Sequence, residues 1–100
     1  MSEFLYEFEW DPAKAKVNFR KHGVSFEAAT QVFRDPLALT IPDDDHSETE
    51  VRWITMGKDA AGRYALLVHT FEELNARQGR VRLISARPPT RAELQAYEEE

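Results

Sequence analysis

The chain has 100 residues, 42% of them hydrophobic and 11% aromatic, with no cysteine and a formal net charge of -5 at pH 7. Length and composition describe one globular domain over residues 1–100 and exclude a disordered chain, while the missing cysteine excludes disulfides, thiolate metal sites and thiol catalysis and suits a reducing cytosol. No apolar run approaches the roughly 20 residues of a membrane span, and the acidic start MSEFLYEFEW lacks the basic region of a secretory signal, so the expected location is the cytoplasm.

Phe4 to Trp10 alternates and predicts a first strand. Asp11-Pro12 opens a helix, because an Asp side chain caps free N–H groups and Pro fits a first position whose N–H is unpaired anyway. The helix runs to about His22, where Gly23 supplies a left-handed stop. Ser25 caps a second helix to about Phe33, with Phe26, Ala29 and Phe33 on one apolar face. Asp35-Pro36 ends the helical part. Leu37 to Ile41 predicts a strand, Pro42 to Glu50 an acidic loop, Val51 to Gly57 a further strand and Asp59 to Gly62 a turn. Tyr64 to Phe71 is apolar on both alternations, as in a central strand covered on both faces. Arg80 to Arg87 is the last strand. Thr90, with Glu93 three residues on, forms a capping box for a final helix whose apolar side carries Leu94 and Tyr97. Helices segregated from consecutive strands predict an α+β domain: a compact antiparallel sheet with two N-terminal helices and one C-terminal helix.

Charge is unevenly spread. Acids form blocks at Glu3–Asp11, Asp43–Glu50 and Glu98–Glu100, whereas Leu74 to Ala92 holds no acid but contains Arg77, Arg80, Arg82, Arg87 and Arg91. A second basic stretch carries Lys14, Lys16, Arg20, Lys21 and His22. At the strand–helix junction, Pro88 and Pro89 stiffen the path from Arg87 to the Thr90 cap. Arg91 then stands at a helix start, where a cation opposes the dipole at a cost of a few tenths to about 1 kcal/mol. An anion arriving there meets free N–H groups and two guanidinium groups; the alternative is that both arginines bend back to acids such as Glu93 or Glu98. Strict alternation places Arg80 and Arg82 on one face of their strand and Ser85 and Arg87 on the other. His69 is open to two readings, a general acid or base or a satisfied strand-end histidine. The loop PDDDHSETE has calcium-like spacing at Asp43, Asp45 and Ser47. It fails as a calcium loop, because Glu48 stands where Gly is needed and Ile54 where the closing Glu is needed. A magnesium site and an exposed acidic turn remain. No glycine-rich phosphate loop, paired-histidine zinc motif or nucleophile elbow is present.

Two motifs carry a family resemblance. W-D-x-x-K-x-x-x-N-x-x-K-H-G-V-S-F runs from Trp10 to Phe26, and I-S-A-R-x-x-T-R-x-E from Ile84 to Glu93, with VRWITMG and LLVHT between them. Together they resemble BrnT, the ribonuclease toxin of a bacterial type II toxin–antitoxin module. The resemblance implies a fold similar to the RelE group and cleavage of RNA without a metal or other cofactor. It also implies a cognate ribbon-helix-helix antitoxin, of BrnA type, through which the pair reaches operator DNA. Onto this chain it carries Arg87, Arg91 and His69 as catalytic residues, and Lys21, Arg52 and Ser85 as RNA-binding ones; in the expected mechanism Arg82 joins Arg52 in positioning phosphate. The expected reaction is attack of the RNA 2′-OH on the adjacent phosphorus, which needs no protein nucleophile. The acidic charge leaves a second reading beside it, a weak or inactive toxin that serves as an antitoxin-binding co-repressor.

Overall fold

The computed structural model describes residues 4–46 and 49–99. Ser47 and Glu48 of the considered calcium loop lie outside them. The chain forms β1 (Leu5–Glu9), α1 (Pro12–His22), α2 (Phe26–Ala29) with a 3₁₀ extension over Thr30–Arg34, β2 (Leu39–Pro42), a 3₁₀ turn over Asp44–His46, β3 (Trp53–Lys58), β4 (Tyr64–His69), β5 (Glu72–Asn75), β6 (Gln78–Arg87) and α3 (Arg91–Glu98). The strand order is β1-β6-β4-β3-β2, with β5 pairing β6 just beyond the end of β4.

Local chemistry sets the helix ends. The Asp11 carboxylate accepts from the N–H groups of Ala13 and Lys14 at 2.8 and 3.4 Å. Gly23 takes φ 73° and its N–H closes on the Phe19 carbonyl. The α2 segment is a single turn, shorter than the expected helix to Phe33. The Thr30 hydroxyl donates to the Glu27 carbonyl at 2.7 Å, a local bond that competes with α-helical propagation, and the chain tightens to 3₁₀ before Asp35-Pro36.

The sheet has two unlike faces. The inner face carries Ala65, Leu67, Val81, Leu83 and Ala86 against Phe26, Ala29 and Val32, with Trp10, Ala15 and Val24 at its margin. Burying each large side chain here contributes on the order of 1.5–3 kcal/mol. The outer face carries Met56 and Leu66 under Tyr97 of α3, while Ile54 and Val68 are only half-covered. The Tyr97 hydroxyl donates to Asp35 Oδ2 at 2.7 Å, which also accepts the Lys58 N–H at 2.8 Å. Burial raises the Asp35 pKa, but the bonds from Tyr97, Leu37 and Lys58 outweigh it and hold the carboxyl below its ordinary value; burial and the Asp35 bond push Tyr97 up to about 12. A side chain at Gly57 would meet Asp35 and Val32 at 2.9 and 3.0 Å, so this strand position requires glycine.

Two features correct the expected architecture. The sheet is mixed, because β1 runs parallel to β6 from Leu5↔Gln78 to Glu9↔Arg82. Parallel neighbours need a long crossover, which the chain between Glu9 and Gln78 provides. Both helices expected at the N-terminus follow β1. In addition, β5 is a separate strand that ends in a turn before Gln78, so β6 is longer than the expected Arg80–Arg87.

Strand β6 carries a bulge. Val68 pairs with Ser85, but His69 pairs with Leu83, leaving Ile84 as the extra residue. The buried positions accordingly run Gly79, Val81, Leu83 and then Ala86. The alternation shifts by one, so Arg80, Arg82, Ser85 and Arg87 all belong to the outer face. The expected split between Arg82 and Ser85/Arg87 is thereby overturned.

Past Arg82, β6 no longer has β1 beside it. Asn18 of α1 takes that place. Its side-chain amide donates to the Ala86 carbonyl at 2.8 Å and to the Val24 carbonyl at 3.1 Å, and its oxygen accepts the Ala86 N–H at 3.1 Å. Asn18→Ala should lower the unfolding free energy by about 3 kcal/mol, since both Ala86 backbone groups lose their partner in a buried place. Asn18→Asp should cost at least as much, because a carboxylate cannot donate to a carbonyl. Urea unfolding monitored by tryptophan fluorescence measures both; a loss below about 0.5 kcal/mol would show that the clamp is dispensable.

Candidate functional site

The outer face holds most of the arginines singled out in the sequence. Arg82 and Arg52 share Glu50: the Arg82 guanidinium bonds its Oε1, and Arg52 Nη2 stands 3.7 Å from the same atom. Ser85 pairs with Val68 and Arg87 with Leu66, which faces Tyr97 on the outer side. Arg87 lies on Glu93 as a two-pronged pair, Nη1 to Oε1 and Nη2 to Oε2 at 2.9 Å each. Glu93 also accepts the Thr90 N–H at 2.7 Å and completes the capping box. The Arg87 bonds, with the Thr90 N–H, pull the Glu93 carboxyl down to about 2. One carboxylate therefore caps α3 and aims Arg87. Arg91, one residue past the Thr90 cap, is exposed and makes no ion pair among the described residues. From Arg82 to Arg87 the strand spans roughly 15 Å at about 3.3 Å per residue, so the face offers cationic groups at two separated points.

Lys21 and His69 stand away from this face, and Arg80, though on it, is tied up by acids. Lys21 is exposed in the last turn of α1, on the inner-face side, where a cation suits the helix dipole. Arg80 is held by Glu7, Glu9 and Glu72 at 3.4, 4.0 and 2.9 Å. His69 shares the inner face with Ala65 and Leu67, is 2% exposed, and packs edge-on against Phe33 with ring centroids 5.1 Å apart. Its Nδ1 faces the Thr70 carbonyl at 2.9 Å and so carries the hydrogen. Nε2 then accepts from the Thr55 hydroxyl at 2.7 Å, and Thr55 accepts from Thr40 at 2.8 Å. This chain of bonds ties β2, β3 and β4 together. The structure thus gathers Arg52, Arg82, Ser85 and Arg87 on one face, leaves Arg91 exposed at the start of α3, and separates His69 and Lys21 from that face.

The acidic loop holds residues that its composition alone does not single out. Asp43 is buried, its N–H donating to the Arg52 carbonyl at 2.8 Å. His46 Nδ1 sits 3.1 and 3.2 Å from the two Asp43 carboxylate oxygens. The three-residue spacing of Asp43 and His46 was the available signal, but burial of an Asp within an acidic run leaves no trace in the pattern. Among the described residues no group of three or more His, Asp or Glu gathers as for a metal ion, and no helix is long and apolar enough to cross a membrane.

The described residues form an α+β domain in which Arg52, Arg82 and Arg87, each paired with a carboxylate, lie on one half-covered sheet face. The chain belongs to the BrnT family: the family model described as the ribonuclease toxin, BrnT, of type II toxin–antitoxin systems matches residues 10–93. Both motifs lie within that span. Membership implies a ribonuclease toxin and, with it, a cognate antitoxin as partner. A search of curated proteins finds no match to the chain.

Burial lowers the His69 pKa, against a smaller opposing effect of the Thr70 carbonyl. Below the ordinary value near 6.5 the unfolded chain therefore binds a proton that the folded protein refuses. The His69 contribution is complete above that value and is lost as pH falls through the lowered one. The urea midpoint of the wild type should thus fall more between pH 7.5 and 5 than that of His69→Phe. Parallel midpoints in the two proteins would show that His69 protonates freely in the fold.

Proposed function

We propose that this toxin cleaves RNA on its outer sheet face, without a metal, by attack of the 2′-OH on the adjacent phosphorus. What supports this is the bulge at Ile84, which brings Arg82, Ser85 and Arg87 to the same face as Arg52 in a member of a ribonuclease family. No protein nucleophile is required. The protein must place the phosphodiester, stabilise charge on the phosphorane oxygens and move protons. Arg87 and Arg91 are assigned to the scissile phosphate, Arg52 and Arg82 to a phosphate farther along the strand, and the Ser85 hydroxyl to an oxygen between them. His69 holds the sheet instead of touching RNA. Lys21 is left to the outlying backbone of a longer RNA. The same reading includes kinship with the RelE group, a cytoplasmic site of action and a ribbon-helix-helix antitoxin that covers the arginine face.

The acidic partners of the arginines favour a second reading, in which the toxin is catalytically weak and acts chiefly as the antitoxin's co-repressor. An incoming phosphate must displace Glu93 from Arg87 and share Arg82 with Glu50. That exchange favours RNA only where several phosphates bind together, and it weakens as salt rises.

Arg87→Ala should abolish growth arrest when the toxin is induced without its antitoxin, with cleavage of RNA by purified protein reduced on the order of 10²–10³-fold. Antitoxin pull-down should be retained. Arg80→Ala should arrest growth like the wild type, because Arg80 is committed to three carboxylates. Full toxicity of Arg87→Ala at equal protein level would remove Arg87 from the site; a wild type that neither arrests growth nor cleaves RNA would favour the co-repressor reading.

A further inference from the structure

Past Arg87 the chain runs into Pro88, which lines a cleft of about 480 Å³, a volume within the roughly 300–1,000 Å³ of small-molecule sites. The end of α1, the turn into α2, the start of β4 and the outlet of β6 meet around it. The residues explain why the space is there. Ala29 and Ala65 form its buried base, and their methyl groups are too short to fill it. Gly23 ends α1 with φ 73°, and a side chain added there would meet nothing within 4 Å. Phe19, 54% exposed, and Tyr64 supply aromatic walls. Tyr64 is braced edge-on by Tyr97 of α3, with ring centroids 5.4 Å apart. The Asn18 amide bonds the Val24 and Ala86 carbonyls together, so the α1–α2 turn and the last strand keep a fixed spacing across the cleft. Phe19 is followed by Arg20 and Lys21 in the last turn of α1. A flat apolar ring beside positive charge is what single-stranded nucleic acid uses, the base stacking and the backbone meeting the cations.

The cleft adjoins the arginine site. Arg87 Nη1 donates to the Pro88 carbonyl at 3.2 Å, so the guanidinium group touches a residue of the cleft wall. Arg63 lines the cleft as well. Its Nε bonds Asp59 Oδ2 at 3.1 Å, and its two terminal nitrogens make no further bond among the described residues. Those nitrogens form a fork of donors, which matches the paired acceptors O6 and N7 of guanine. We propose that this cleft takes the base next to the scissile phosphate, that Phe19 is the ring it stacks on, and that Arg63 selects guanine; this rests on the ribonuclease reading above. The phosphate stays on Arg87 while its neighbouring base turns past Pro88 into the cleft. Single-stranded RNA suits this, because its bases are free to splay out and stack on aromatic side chains. Phe19 falls at an open position of the motif from Trp10 to Phe26, and Arg63 lies outside both motifs.

The test gives purified, antitoxin-free toxin a single-stranded RNA of mixed sequence and maps the product ends for wild type, Phe19→Ala and Arg63→Gln. Wild-type cuts should gather at phosphates flanked by guanine on one fixed side, and Arg63→Gln should spread them over other bases. Phe19→Ala should cleave at least about tenfold more slowly while keeping the wild-type melting temperature. A short RNA that lacks the base at the preferred position separates stacking from a structural effect. The missing base should slow the wild type by the same factor and slow Phe19→Ala no further. Equal slowing of both proteins by the missing base overturns the cleft assignment and leaves the ribonuclease reading standing. Phe19→Ala cleaving within about threefold of wild type, or wild-type cuts spread evenly over all bases, does the same. A guanine preference that survives Arg63→Gln overturns the role of Arg63. A wild type that makes no cut overturns both the cleft and the ribonuclease reading.

Discussion

One side chain, Asn18, decides which way the last strand faces. Strand β6 leaves β1 behind at Arg82, and from there its free edge would expose the Ala86 N–H and carbonyl inside the fold. The Asn18 amide satisfies both and is itself held by the Val24 carbonyl. With Ala86 pinned inward, the residues on either side of it, Ser85 and Arg87, must point outward. Because Leu83 is also pinned inward by the core, the chain between them carries an extra residue, and Ile84 becomes the bulge. A single buried amide thereby brings Ser85 and Arg87, expected on the opposite face, onto one surface with Arg80 and Arg82. It also explains why the Asn of the first motif and the Ser-Ala-Arg of the second belong together although 68 positions separate Asn18 from Ala86.

Electrostatics on that surface are prepared rather than open. Arg87 rests on Glu93, and Arg82 and Arg52 rest on Glu50. These carboxylates keep the guanidinium groups extended and oriented in an acidic protein, at the cost of competing with any phosphate. At such half-exposed positions an ion pair contributes about 1 kcal/mol or less, so a polyanion engaging several arginines at once can replace it. Glu93 has a further task, since the atom that accepts the Thr90 N–H also accepts from Arg87. Start of α3 and direction of Arg87 are one structural decision.

Much of this was legible in the residues. Asp11-Pro12, Gly23, Ser25 and the Thr90–Glu93 box announce helix ends through chemistry that acts within a few positions. The central place of β4 follows from its two apolar alternations. The parallel pairing of β1 with β6 was not legible, because it joins strands nearly 70 positions apart and leaves no periodicity of its own. The bulge was hidden for a related reason: Val81, Leu83 and Ile84 are all apolar, so nothing in the alternation marks which one is displaced. At the site, Arg82 and Arg87 stood out through charge. In the acidic loop Asp43 stood out only for its calcium-like spacing, because a run dense in acids gives no hint that one of them turns inward. His69 drew notice as a histidine in an apolar strand, and only the register shows that it shares its face with Leu67 and not with Arg87.

The central claim is that the arginines gathered by the bulge form the surface that RNA meets. Its most direct measurement is a titration of ¹⁵N-labelled Arg87→Ala toxin with a short single-stranded RNA at low salt, followed through backbone amides and arginine Nε–H signals. Perturbations should cluster at Arg52, Ile54, Val68, Arg82, Ser85 and Arg91, and leave His69, Phe33 and β1 unmoved. Perturbations confined to Lys14, Lys16, Arg20 and Lys21 of α1, with the outer face silent, would contradict it.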